Sequence, residues 1–209
     1  MPDWATIEAL APPIHALLDP PMIDQPGNEE AVSATRTWLE KAVIGLNLCP
    51  FARPVHLHDR IRYCVSAAQS ASALVEDLIT ELRALDAADP MQCETTLLIH
   101  PRVLTDFFDY NAFLVQADDA VAELGLEGVI QVASFHPRYQ FADAGADDIE
   151  NYTNRSPYPM LHLLRESSVE RAVTTYPDTT DIYRKNIETL RRLGHEGWRR
   201  LWMPAAPRD

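Results

Sequence analysis

His100 and His136 each stand directly after an apolar run and directly before a proline, Pro101 and Pro137. Proline disfavours helical backbone in the residue before it, so both imidazoles are held extended at a strand end. If the two strands are parallel, both ends lie on one edge of the sheet, the edge where open α/β sheets bind ligands. A pair of imidazoles there suits proton transfer or metal ligation, because histidine titrates near neutral pH and offers a ring nitrogen to a cation. The same dipeptide also ends a strand for reasons of loop geometry alone.

A second group of candidates follows a long loop. Asn154-Arg155-Ser156-Pro157-Tyr158-Pro159 leads into a segment carrying His162, Arg165 and Glu166. Pro159 suits the first turn of a helix. A helix N-terminus offers free N–H groups and partial positive charge to an anion, with Arg155 and Ser156 beside it. On such a helix His162 and Glu166 share a face, so the carboxylate could orient the imidazole or join it on a metal. Ordinary surface residues would show the same spacing. Cys49 precedes Pro50 and follows a helix C-terminus, whose partial negative charge opposes a thiolate. It reads either as a nucleophile or ligand aided by nearby Arg53, His56 and His58, or as a buried thiol packed with Phe51. Arg53, His56, His58, Arg60 and Arg62 form a cationic stretch, which reads as an anion site or as partners for the many carboxylates.

Cys49, His100, His136 and His162 could together supply a tetrahedral zinc site, although none lies in a metal-spacing motif. Asp143, Asp147 and Asp148 do not follow the calcium-loop pattern. The chain has no Walker loop, G-x-G-x-x-G, G-x-S-x-G or H-E-x-x-H, which argues against the commonest nucleotide-binding, hydrolase and protease classes.

The elements that must position these residues follow from periodicity. A helix is predicted over residues 29–46 with Asn28 as its cap and a stripe of Val32, Thr35, Trp38, Leu39, Ala42, Val43 and Leu46. Strands are predicted over 60–66, 95–100 and 129–136, the first half-exposed and the other two buried. Helices over 69–85 and 106–124 separate them, the second ending at Gly125. The order β-α-β-α-β predicts an α/β fold with a small, mainly parallel sheet of three or four strands flanked by helices. A ferredoxin-like α+β sandwich is the alternative. Residues 137–158 lack periodicity, which is uncommon for so long a stretch in a compact domain. Helices are then expected from Pro159, from a Ser167/Glu170 capping box, and over 181–193 up to Gly194, with Trp198 and Trp202 in a last amphipathic turn. Six prolines among residues 1–27 mark an N-terminal arm ahead of a single domain over 28–209.

The 209 residues suffice for one domain with a sizeable core. With 46% hydrophobic and 23% charged residues the composition is that of a globular chain rather than a disordered one. A net charge of −13 disfavours nucleic acid and anionic membranes as partners. No apolar run approaches the roughly 20 residues of a membrane span. From residue 181 on, seven Arg and Lys face four Asp and Glu, a basic tail on an acidic body. No secretory leader is apparent, and three dispersed cysteines fit a reducing cytoplasm better than a disulfide framework.

Several blocks carry a resemblance: Thr37-Trp38-Leu39-Glu40, Leu46-Asn47-Leu48-Cys49-Pro50-Phe51-Ala52, Ser134-Phe135-His136-Pro137-Arg138-Tyr139-Gln140-Phe141, and the run from Asn154 to Glu166. Over about residues 35–194 the chain resembles the uncharacterised, mainly proteobacterial family called domain of unknown function 1415. The resemblance implies a bacterial cytoplasmic protein and supplies no activity. The residues themselves predict an enzyme acting on a small carboxylate or phosphate. His136 is expected as general acid/base, His100 or His162 as second proton carrier, with Glu166 behind it. Arg155 and Arg165 would grip the anion, and Tyr139, Asn154 and Ser156 would hydrogen-bond it. A metalloprotein with Cys and His ligands and a non-catalytic interaction module are the alternatives. Neither a cofactor nor an oligomeric state follows from the sequence.

Overall fold

The computed structural model describes residues 26–175 and 179–202. Four strands, β1 (Ile61–Val65), β2 (Thr95–Ile99), β3 (Ile130–Phe135) and β4 (Met160–Arg165), form one sheet in the order β1-β2-β4-β3. Helices α3 (Ala71–Ala87) and α4 (Phe107–Glu123) connect the first three strands, as the alternation predicts. The α/β class holds, and the sheet is mixed rather than mainly parallel. β1 and β2 are parallel, whereas β4 lies antiparallel to both β2 and β3 and separates them.

β4 is the segment expected as a helix from Pro159. In Met160-Leu161-His162-Leu163-Leu164 both alternating sets are mostly apolar, as a central strand covered on two faces requires. Over five or six residues such a run does not reveal its period. His162 and Glu166 therefore do not share a helical face: His162 lies within the strand, and Glu166 opens α5 (Glu166–Thr175) without the expected Ser167 cap.

Both faces of the sheet are covered by helices, unlike the two-layer ferredoxin-like alternative. On one face Leu98, Ile130, Leu161 and Leu163 pack against α3 and α4. Leu74, Leu78, Leu82 and Leu85 of α3 have no exposed surface. Burying each such leucine stabilises the fold by roughly 1.5–3 kcal/mol relative to exposure. On the other face Leu97, Ile99 and Met160 meet Trp38 of α1 (Asn28–Trp38) and Leu190 and Trp198 of α6 (Thr179–Trp202). α6 breaks at Gly194, whose φ of 63° is left-handed, at the predicted stop.

α1 begins after Gly27 rather than after an Asn28 cap, and it runs into a π-helical turn, Leu39–Ile44. Three helices end in the same way. Asn47 after the π turn, Asp59 after α2 (Ala52–Leu57) and Gly125 after α4 all have positive φ. The next residue's N–H donates to a carbonyl five residues back in each case: Leu48 to Val43, Arg60 to Val55, Leu126 to Val121. This paired closure satisfies carbonyls that a helix end would otherwise leave open.

The long stretch between β3 and β4 is organised by Asn151, which has no exposed surface. Asn151 lies within a short 3₁₀ turn, Ile149–Thr153, and its amide accepts from the Phe141 N–H at 3.0 Å and donates to the Gly145 carbonyl at 2.7 Å. Of the predicted N-terminal arm only Pro26 and Gly27 are described, and the end of the basic tail, 203–209, also lies outside the described residues. Among the described residues no helix is long and apolar enough to cross a membrane.

Candidate functional site

The ends of β2 and β3 bring His100 and His136 together around Tyr110 of α4. The His100 ring stacks on Tyr110 at 5.8 Å, and the His136 ring lies 5.0 Å from Tyr110 and 5.5 Å from Phe107. Neither histidine has exposed surface. His136 Nδ1 accepts from the Arg138 N–H at 3.0 Å, so Nε2 carries the proton and donates to the Leu104 carbonyl at 3.2 Å. His100 Nδ1 donates to the Val103 carbonyl at 3.0 Å, and its Nε2 is buried without a partner. Burial lowers both imidazoles to about 4, against weaker opposing contacts from those carbonyls. At neutral pH the pair is uncharged, enclosed and committed to one loop. That loop carries Leu104 at a φ of 56°, a rare value for a bulky side chain.

His162 faces the opposite side of the sheet. The Thr95 hydroxyl donates to the Leu163 carbonyl at 2.6 Å and accepts from His162 Nε2 at 2.7 Å. Burial lowers His162 to about 4 as well. His100 and His162 thus lie on different layers, which prevents them from acting on one substrate atom or one metal ion. Among the described residues no three His, Cys, Asp or Glu side chains come together as a metal site. Glu166 donates its N–H to the Val129 carbonyl at 2.9 Å, fastening the start of α5 to the start of β3.

Arg155 and Arg165 are occupied by backbone. Arg155 donates to the Ala146 carbonyl at 2.6 Å and the Tyr139 carbonyl at 3.3 Å, and its guanidinium lies 4.3 Å from the Tyr152 ring. Arg165 donates to Leu85 and Ala88 carbonyls and so closes the C-terminus of α3, where a cation complements the helix dipole. Asn154 accepts from the His136 N–H and donates to the Ser134 carbonyl, and Ser156 donates to the Tyr158 carbonyl. The Tyr139 hydroxyl accepts from Ser134 at 3.4 Å. These residues join the end of β3 to the approach of β4.

Burial raises the Cys49 thiol, opposed by the N–H groups of Phe51 and Ala52. The cationic stretch is divided among neighbours: Arg60 pairs with Glu94 at 3.0 Å, Arg62 with Glu81 at 2.6 Å, His56 lies 3.4 Å from Glu40, and His58 meets the Pro54 carbonyl. Arg60, Arg62 and His56 thus each face a carboxylate of this chain, and Arg53 is exposed.

An open groove of about 640 Å³ lies elsewhere, between α1 and the face of β1. Its helical wall carries Glu29, Val32 and Arg36 of α1 and Glu40 of the π turn that follows, and its floor is Tyr63 and Val65. The Arg36 guanidinium lies 4.2 Å from the Tyr63 ring centroid. Such stacking contributes about 0.5–1 kcal/mol and leaves the edge N–H groups free to donate. Among the described residues no carboxylate pairs with Arg36, although the chain is strongly acidic. The Tyr63 hydroxyl is buried without a partner. Burial, with Glu40 and Asp59 adding and Arg36 opposing, pushes it up to about 12.

A family model described as protein of unknown function, DUF1415, matches residues 30–200. The chain belongs to this family. No curated protein and no solved structure matches it. The DUF1415 match covers the whole sheet, the histidine pair, and Arg36 and Tyr63 of the groove. In this DUF1415 chain the groove escaped sequence reasoning because Arg36 and Tyr63 share no motif and are joined only by the packing of α1 on β1. The available signal was Arg36 itself, facing the same way as Glu29 and Glu40 on a helix whose other face is apolar.

Proposed function

We propose that this protein binds a small carboxylate- or phosphate-bearing molecule in the groove between α1 and β1, with Arg36 as the anchoring cation. The observation that carries this reading is the Arg36 guanidinium, over the Tyr63 ring within the groove and without a carboxylate partner among the described residues. A pre-oriented guanidinium loses little freedom when it takes up a carboxylate or phosphate through its planar fork. The groove is open to solvent, so a small molecule would be held there chiefly at its charged end. Binding, rather than histidine acid/base turnover, is the activity this arrangement favours, because the ring protons of His136 and His162 are already given to internal acceptors. A cytoplasmic setting suits three cysteines that are all free thiols.

Titration of the ¹⁵N-labelled protein with butanoate or inorganic phosphate tests the site. At least one of these probes is expected to move the amide signals of α1 and β1 at millimolar concentration. Arg36→Met is expected to weaken that binding by about tenfold or more, the scale of a charge-assisted hydrogen bond. Unmoved α1 and β1 signals, or equal binding by the variant, would overturn the reading.

A further inference from the structure

The groove wall holds charges that do not cancel one another. Glu40 lies four residues beyond Arg36, about 6 Å along the helix, near enough for an ordinary intrahelical pair. That pair is not made: Arg36 turns onto Tyr63, and Glu40 lies 3.4 Å from His56 while its side chain stays 56% exposed. Glu29 lines the far end of the same groove. A purely anionic ligand would gain Arg36 and meet repulsion from Glu40. A ligand that also carries a cation would be matched at both positions.

We propose that the ligand class is zwitterionic: an aminocarboxylate whose carboxylate is taken by Arg36 and whose ammonium is taken by Glu40. This rests on the groove being the binding site. Arg36 near the end of α1 and Glu40 in the π turn that follows line one groove, and 4-aminobutanoate, with one charge at each end of a short chain, probes that pair.

The test compares 4-aminobutanoate, butanoate and butylammonium as probes of the whole chain by ¹⁵N chemical-shift titration. The zwitterion is expected to bind about fivefold more tightly than butanoate, the scale of one additional exposed ion pair. Glu40→Gln is expected to remove that advantage while leaving butanoate at least as tightly bound, and Glu29→Gln is expected to preserve it. Equal binding of 4-aminobutanoate and butanoate to the unaltered protein would overturn the zwitterion and leave the anion site standing. Loss of the preference through Glu29→Gln instead of Glu40→Gln would overturn the assigned orientation. Failure of both carboxylates to bind in an Arg36-dependent way would overturn the site and the ligand class together.

Discussion

The Tyr110 hydroxyl stands where the ladder between β3 and β4 opens. It donates to the Met160 carbonyl at 2.8 Å and accepts from the Phe135 N–H at 3.0 Å, so one side-chain atom closes two backbone groups of neighbouring strands. Tyr110→Phe keeps the ring that packs on both histidines and strands those two groups. A loss of about 1–3 kcal/mol is expected, read as a lower melting temperature. A variant as stable as the parent would mean that water replaces the hydroxyl there. At this scale the sequence revealed His100 and His136 at strand ends on one edge of the sheet, because a proline after a strand constrains backbone locally. Their burial was not legible, since the covering residues Phe107 and Tyr110 come from a different segment. The same limit applied to Arg155 and Arg165, whose backbone acceptors are distant in the chain or lie within the aperiodic stretch.

The elements themselves were mostly legible, and the failures have local causes. β1, β2 and β3 announced themselves by alternation or by apolar runs between turns, and Gly125 ended α4 as a left-handed residue should. β4 was misread because an uninterrupted apolar run with a leading proline suits either a buried strand or a helix start. The π turn after α1 was invisible because the apolar stripe continues smoothly through it. Gly45 follows that turn with helical φ of −65°, where alanine would ordinarily stabilise a helix by about 1 kcal/mol. Here a Cβ would strike the Lys41 carbonyl. Gly45→Ala is therefore expected to destabilise, by about 1–3 kcal/mol in a denaturant midpoint measurement, reversing the usual sign. A stabilised variant would show that the turn relaxes to ordinary α-helix without cost.

Among the described residues, His100, His136 and the partly buried His162 make stability respond to acid. His100, His136 and His162 are each lowered to about 4 by burial, whereas the unfolded chain holds them near 6.5. The unfolded state therefore binds up to three more protons between those values. Their contribution to stability is complete above about pH 6.5 and is lost as the pH falls toward about 4. The slope there is on the order of 4 kcal/mol per pH unit if all three titrate on unfolding. Melting temperature should fall steeply from pH 6.5 to 4.5, and a His162→Leu variant should show a shallower fall. A flat profile over that interval would contradict the burial of these rings. The net charge of −13 was legible as a bar to polyanions, but charge totals could not show that Arg36 lies against Tyr63 with no carboxylate partner among the described residues.

The central position of β4 also bears on how this chain is made. β3 has no strand neighbour except β4, and β2 meets β3 only through it. During synthesis from the N-terminus, the β1–β2 pair can assemble early while β3 must wait for residues 160–165 to leave the ribosome. The interval leaves a hydrophobic strand edge unsatisfied on a half-built sheet, the stage at which a nascent chain of this kind has most need of a chaperone.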